Sequence, residues 1–103
     1  MTSVETFRRE VDDATVARLA AGHRPDARAV ALGVDLRADP NLVDDEGRVS
    51  VPLRRAAHPS AVRPGRHITL GSSLGRWRGT VVAWDLALDA ADPLVVVDDV
   101  EPC

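Results

Sequence analysis

Several short stretches of the chain alternate apolar residues with polar or small ones, and this period of two most constrains the fold. A strand with one buried face repeats every second residue, whereas a helix repeats every 3.6 or so. The alternation predicts about five strands, at residues 28–37, 48–53, 66–71, 76–88 and 94–100. The first two would form a hairpin. No link between consecutive strands is long enough for a crossover helix, so we expect antiparallel pairing.

The N-terminal stretch "TSVETFRREVDDATVARLAAG" carries helix signals instead. Its T-x-x-E start fits a capping box, its apolar residues recur at helical spacing, and Gly22 fits the left-handed position after a helix end. These features predict one amphipathic helix over about residues 3–21. A shorter helix capped by Asp12 or Asp13, with residues 3–11 extended, is the alternative.

The length of 103 residues suits one domain with a modest core. We therefore predict a single α+β domain over residues 1–103, mostly antiparallel β. About five strands would form a small, partly closed barrel or a curled sheet with one N-terminal helix. The chain has no apolar run that could cross a membrane, no apolar signal core in "MTSVETFRRE" and one cysteine, Cys103. We expect a cytoplasmic protein with no membrane partner.

Residues 71–75, "GSSLG", spell the G-x-S-x-G of a nucleophile elbow. That elbow needs a helix after the serine, and then an acid and a histidine further along the chain. Here the strand-like "GRWRGTVVAW" follows the serines, and His23, His58 and His67 all precede Ser73. We interpret the stretch as a hairpin turn and expect no catalytic activity.

The sequence does not match a calcium-binding or a zinc-binding motif, because the residues that such motifs require are not at the required spacing. The acidic stretch "DPNLVDDEGRVS" lacks the glycine and the final glutamate of a calcium loop. The histidines show no helical pair, and the lone cysteine has no partner for zinc. We expect neither a cofactor nor a metal.

Charge is strongly segregated along the chain. Residues 1–46 hold ten acids and six arginines, residues 47–84 hold seven arginines and no acid, and residues 85–103 hold six acids and no arginine. An acidic last strand could neutralise a basic hairpin internally. The basic segment could also bind nucleic acid, although the pI of about 5.5 and the three aromatic residues argue against this. It could equally dock an acidic surface of a protein partner or of a second copy.

Trp77 lies between Arg76 and Arg78, seven residues before Trp84. An odd separation on a regular strand puts two side chains on opposite faces. With Trp84 in the core, in register with Val82, Trp77 would face outward as a binding hot spot. The alternative is that Trp77 closes the barrel mouth or packs under the N-terminal helix.

Residues 62–97 resemble the KOW-type small barrels of translation and transcription factors. The shared features are a Pro-Gly entry, an alternating strand, a glycine-bearing turn, the run "GTVVAWD" and a valine-rich return strand. The family usually has lysines and closer glycines at the turn, where this chain has Arg-Trp-Arg between Gly75 and Gly79. The resemblance implies a barrel-like C-terminal half.

We therefore predict a non-catalytic binding or assembly module that docks a protein partner or itself through a basic Arg/Trp surface. The predicted site residues are the basic and aromatic group with its acidic complement: Trp77, Arg76, Arg78, Arg63, Arg66, Asp98 and Asp99. Three alternatives remain. They are a structural subunit of a viral or phage assembly, a nucleic-acid-binding small barrel, and an accessory protein or small enzyme of a biosynthetic pathway.

Overall fold

The computed structural model describes residues 12–86 and 93–103. In these ranges three short 3₁₀ turns accompany the regular elements, at Pro40–Leu42, Leu53–Arg55 and Pro59–Val62. The helices and strands, in chain order, are α1 (Asp13–Gly22), α2 (Ala27–Leu32), β1 (Leu36–Arg37), β2 (Val49–Pro52), β3 (His67–Ser72), β4 (Gly75–Asp85) and β5 (Leu94–Pro102).

The strands form one curled, half-barrel sheet in the order β1-β3-β4-β5-β2. Strand β3 pairs antiparallel with β4, β4 with β5, and β5 with β2, while β1 runs parallel to β3. The predicted α+β fold with a mostly antiparallel, curled sheet is thus confirmed. Strands β2 to β5 match four predicted strands to within a few residues, although residues 87–88 lie outside the described ranges.

The core packs against one face of the curled sheet, and α1 and the 3₁₀ turns Leu53–Arg55 and Pro59–Val62 contribute residues to it. Its central residue is Trp84, which is fully buried, with Val16 of α1 and Val62 of a 3₁₀ turn in the same cluster. The indole Nε1 of Trp84 donates to the main-chain oxygen of Val62 at 2.9 Å. The large ring is therefore buried without an unsatisfied polar atom.

The strand predicted at 28–37 is wrong over its first part, because residues 27–32 form α2. The Asp26 carboxylate caps this helix by accepting from the Arg28 N–H, and Gly33 ends it in the left-handed conformation with φ of 74°. The alternation in this stretch does not mark a buried face, since Val30 is 51% exposed. Helix-favouring alanines between two good caps outweigh a short period-two pattern.

The predicted hairpin between the first two strands is also wrong. Strand β1 pairs with β3, placing Leu36 opposite Leu70, whereas β2 pairs with β5. Residues 38–66 separate β1 from β3, and this span is long enough to carry the chain over the core and return it in parallel. The prediction of purely antiparallel pairing was based only on the links between consecutive strands. Strands β1 and β3 are not consecutive, so the prediction did not apply to them.

Helix α1 begins at Asp13, so a continuous helix over 3–21 is wrong and the shorter, capped helix is confirmed. The Asp12 backbone is extended, with φ of −73° and ψ of 168°, and its side chain accepts from the Thr15 N–H at 2.8 Å. The predicted capping box and residues 3–11 lie outside the described ranges. The left-handed glycine expected at Gly22 occurs instead at Gly33. Within residues 12–86 and 93–103, no helix is long and apolar enough to cross a membrane.

Candidate functional site

The G-x-S-x-G stretch is a tight hairpin, as predicted. Strands β3 and β4 join through Ser73 and Leu74, with Ser72 paired opposite Gly75. A Cβ on Gly71 would collide with the main-chain oxygen of Gly75. The first glycine is therefore required by the close approach of two backbones at the turn.

A groove of about 570 Å³ opens beside this hairpin tip, between α2, β1 and the 3₁₀ turn Leu53–Arg55. Three arginines of the described chain line it, and the apolar part of its wall comes from α2, from Ala38 after β1 and from Leu74 at the hairpin tip. Among the described residues of the lining, Asp39 is the one acidic residue. We call this the basic groove, and its arginines are Arg28, Arg37 and Arg55.

Main-chain pairing brings these three arginines together from distant parts of the sequence. Leu36 forms an isolated antiparallel bridge with Ala56, which places the neighbouring Arg37 and Arg55 at the same site. The Asp26 N–H donates to the Ala56 oxygen at 2.8 Å and so docks the start of α2 there. No contiguous motif in the sequence marks the basic groove. Asp26 and Gly33 are residue types that favour the two ends of a helix, and recognising them as caps would have placed Arg28 on a helix.

Asp26 holds Arg37 in place. The Arg37 Nε donates to the Asp26 carboxylate at 2.9 Å, and the Asp26 side chain is only 10% exposed. Burial, the largest single influence, raises the pKa of this carboxyl, but hydrogen bonds from the Arg37 side chain and the Arg28 backbone outweigh it and hold the pKa below its ordinary value. Arg37 is thus committed to an internal ion pair.

Arg28 and Arg55 differ from Arg37 in this respect. In the part of the chain that the structure describes, neither guanidinium has a hydrogen bond or an ion pair. Each carries five N–H donors in a planar fork, a geometry that matches a carboxylate or a phosphate. Two free guanidinium groups beside an apolar wall therefore form a surface suited to an anionic group with an apolar neighbour.

Arg76, a predicted site residue, borders the basic groove. Its guanidinium donates to the main-chain oxygen of Ser72 at 2.8 Å and to the main-chain oxygen of Leu32. Both Ser72 and Leu32 line the groove. Arg76 therefore braces two of the groove walls.

Arg78, Asp98 and Asp99 lie on another part of the sheet. Arg78 pairs with Glu101 across β4 and β5, with Nε and Oε1 2.9 Å apart, while Asp98 pairs with Arg48 at 3.1 Å. The hydrogen bond from Arg48, followed by one from the Asp99 N–H, lowers the pKa of Asp98 below its ordinary value. In these two pairs, arginines of the basic segment are neutralised by acids of the C-terminal segment, which is the internal pairing considered for the segregated charges.

Arg63 and Arg66 flank the turn that precedes β3, at the far end of the β3–β4 hairpin. The Val81 N–H donates to the Arg66 oxygen at 2.9 Å. Val81 lies five residues along β4 from Arg76, a distance of roughly 16 Å. Arg63 and Arg66 are thus distant from Arg76 and Arg78, which lie two residues apart on the exposed face of β4, and the predicted site residues do not all lie together.

Trp77 lies on the core side of the sheet, so its predicted outward position is wrong. It packs partly buried against the core beside Val100. The pairing of β4 with β5 shifts between Val81 and Ala83, where Val82 is an extra residue, 42% exposed. This bulge reverses the alternation, so Trp77 and Trp84 face the same side despite their odd separation. Val82, which was expected in the core, faces out.

Neither a candidate metal site in the described residues nor a similar protein indicates the function of this chain. Across the described ranges, no group of three or more His, Cys, Asp or Glu residues is placed to hold a metal ion. No protein-family model, no curated protein and no solved structure matches the chain. The function must therefore be inferred from the geometry of the basic groove itself.

Proposed function

We propose that this protein is a non-catalytic docking module that binds an acidic surface of a protein partner through the basic groove. The observation that carries the proposal is the pair of free guanidinium groups, Arg28 and Arg55, beside an apolar wall. Assembly with further copies of the chain is one form of the same activity. A cytoplasmic location, inferred from the sequence, belongs to the proposal.

The physical chemistry of the groove favours a protein ligand. A guanidinium forms bidentate hydrogen bonds with a carboxylate, and these are stronger where apolar surface excludes water. Leu32 and Leu74 supply that surface. A partner that presents carboxylates next to an apolar side chain would satisfy both parts of the groove.

The groove gives less support to nucleic acid. Binding a phosphate backbone draws on many cationic side chains along an extended track. Here Arg48 and Arg78 are already paired with Asp98 and Glu101, and the free arginines of the groove lie within about 570 Å³.

The serines of the groove also lack the partners of a nucleophile. The Ser72 Oγ accepts from the Leu74 N–H at 3.1 Å, and Asp39, the groove carboxylate, accepts from the Asn41 N–H at 2.9 Å. The residues that line the groove include no histidine. A serine hydroxyl without an adjacent base is a weak nucleophile, which supports a binding role.

The test compares two charge-matched variants. Arg28→Glu/Arg55→Glu reverses the charge of the two free groups of the groove, and Arg18→Glu/Arg24→Glu makes the same charge change at exposed positions outside the groove. Tagged protein is used for capture from the native host at low and moderate salt, with nuclease added to half of each sample. We expect a protein partner that is captured by the wild type and the control, survives nuclease and is lost with the groove variant.

Two results would contradict the proposal. One is a partner that is retained equally by the groove variant. The other is recovery of nucleic acid that disappears with nuclease and salt, which would favour the nucleic-acid-binding alternative.

A further inference from the structure

We propose that the acidic partner of the basic groove is a second copy of this chain, held through the loop that follows β1. The inference rests on the proposed function, because it names the occupant of the same groove. We call residues 41–47 of this loop the acidic loop.

The acidic loop presents charge and apolar surface together. Leu42 is 56% exposed, and the side chains of Asp45 and Glu46 are also exposed. Neither of these two side chains accepts a hydrogen bond or forms an ion pair within the described part of the chain. The loop therefore offers two exposed carboxylates beside an exposed leucine, and Glu46 also interacts electrostatically with the nearby Arg48.

Hydrogen bonds hold the acidic loop in shape. Asp44 accepts from the N–H groups of Glu46 and Arg48 at 2.9 and 3.0 Å, and the Val100 N–H donates to the Gly47 oxygen at 2.8 Å. Gly47 itself has φ of 77°. Because the loop is ordered before binding, docking it would cost little conformational entropy.

The acidic loop and the basic groove are complementary. The loop has two exposed carboxylates and one exposed leucine, and the groove has two free guanidinium groups, Arg28 and Arg55, with apolar surface between α2 and the hairpin tip. Complementary charges with an apolar contact at the centre are typical of specific protein interfaces.

The two surfaces border each other on one molecule. Asp39 lines the groove, and the Leu42 N–H donates to its main-chain oxygen at 3.0 Å. A two-fold axis near Asp39 would place the loop of each copy in the groove of the other, so both contacts would form at once. A self-complementary patch of this kind is what a two-fold dimer requires.

Exposed apolar side chains occur on the elements that form these two surfaces. The described chain has four large ones, and three of them belong to elements that border the groove or form the acidic loop: Val30 of α2, Leu42, and Leu74 of the hairpin tip, which is 77% exposed. Clustered exposed apolar residues are a mark of interaction surfaces.

A charge-swap experiment tests the dimer. The groove variant is Arg28→Glu/Arg55→Glu, and the loop variant is Asp45→Arg/Glu46→Arg. We expect the wild type to sediment as a dimer that weakens with salt, and each variant to sediment as a monomer, with a dissociation constant raised about a hundredfold or more by like-charge contacts. An equimolar mixture of the two variants should form heterodimers, because both of its contacts then join opposite charges. Circular dichroism of each variant shows that the fold is kept.

Several outcomes would overturn the inference. The variant Arg18→Glu/Arg24→Glu, at two exposed arginines outside the groove and the predicted site residues, is the matched control and should remain a dimer. Dimers that persist in both the groove and the loop variants would place the interface elsewhere. A mixture that stays monomeric would exclude the contact between loop and groove, and oligomers that grow with concentration would exclude the two-fold arrangement. A monomeric wild type would overturn self-association, while the proposed function would still stand if a different partner were lost with the groove variant.

Discussion

The guanidinium of Arg76 on β4 donates a hydrogen bond to the main-chain oxygen of Leu32, the last residue of α2 and 44 positions earlier in the chain. A second hydrogen bond, to the Ser72 oxygen, anchors the same side chain to the hairpin tip. One arginine thus joins the end of α2 to the hairpin tip beside the basic groove. Its role is to set the spacing of the groove walls.

Replacing Arg76 with alanine should loosen the basic groove. We expect a loss of about 1 kcal/mol in the free energy of unfolding, because the lost bonds go to main-chain oxygens that water can reach. Amide hydrogen exchange should become faster at the end of α2 and at the hairpin tip. Arg78→Ala is the control, since it removes only the exposed pair with Glu101, worth up to about 1 kcal/mol, and should leave exchange in α2 unchanged. Equal exchange in both variants would contradict the bracing role.

The two tryptophans should differ in their contribution to stability. Trp84→Phe leaves a cavity and removes the donor to the buried Val62 oxygen, so we expect a loss of about 2–4 kcal/mol in urea unfolding. Trp77→Phe affects a partly exposed ring and should cost about 1 kcal/mol or less. In Trp77→Phe the remaining tryptophan is the buried Trp84. Its fluorescence maximum should therefore lie at a shorter wavelength than that of Trp77 in Trp84→Phe. A larger loss for Trp77→Phe would contradict the assignment of the core.

Two glycine-to-alanine substitutions should have opposite signs. In Gly71→Ala the new Cβ meets the main-chain oxygen of Gly75, which cannot move independently, so we expect a loss of about 1–3 kcal/mol. Gly22 ends α1 with open space around it, and alanine there should add a few tenths to about 1 kcal/mol. Thermal unfolding of the two variants measures both effects. Unchanged stability in Gly71→Ala would show that the two backbones do not approach so closely.

Acid should weaken the protein partly through Asp26. Its pKa lies below the ordinary value of 3.8, so its stabilising effect is complete above that value and is lost as the pH falls through the lower, folded-state pKa. We expect Asp26→Asn to reduce stability at neutral pH and to make the decline in acid shallower. Unfolding by urea at a series of pH values from neutral to strongly acidic tests this. Parallel pH curves for the two proteins would show that Asp26 does not titrate in this way.

Much of the sheet could be predicted from the sequence, because burial on one face imposes a period of two on each strand. Strands β2 to β5, the hairpin at residues 71–75 and the Asp12 cap all have local signals. Helix α2 was missed, since a six-residue helix between Asp26 and Gly33 has too few turns to show its own period. The predicted face of Trp77 was wrong because one extra residue, Val82, reverses the alternation of a regular strand.

The sequence alone determined where β2 to β5 lie, where the hairpin turns, and that positive and negative charge are separated along the chain. Only the tertiary structure decided which arginines meet. The parallel pairing of β1 with β3 and the bridge between Leu36 and Ala56 bring Arg28, Arg37 and Arg55 to one groove. These contacts join residues 20 to 34 positions apart, and they depend on how the whole core packs. A local pattern records the face that a residue buries, but it carries no information on which distant strand will lie beside it.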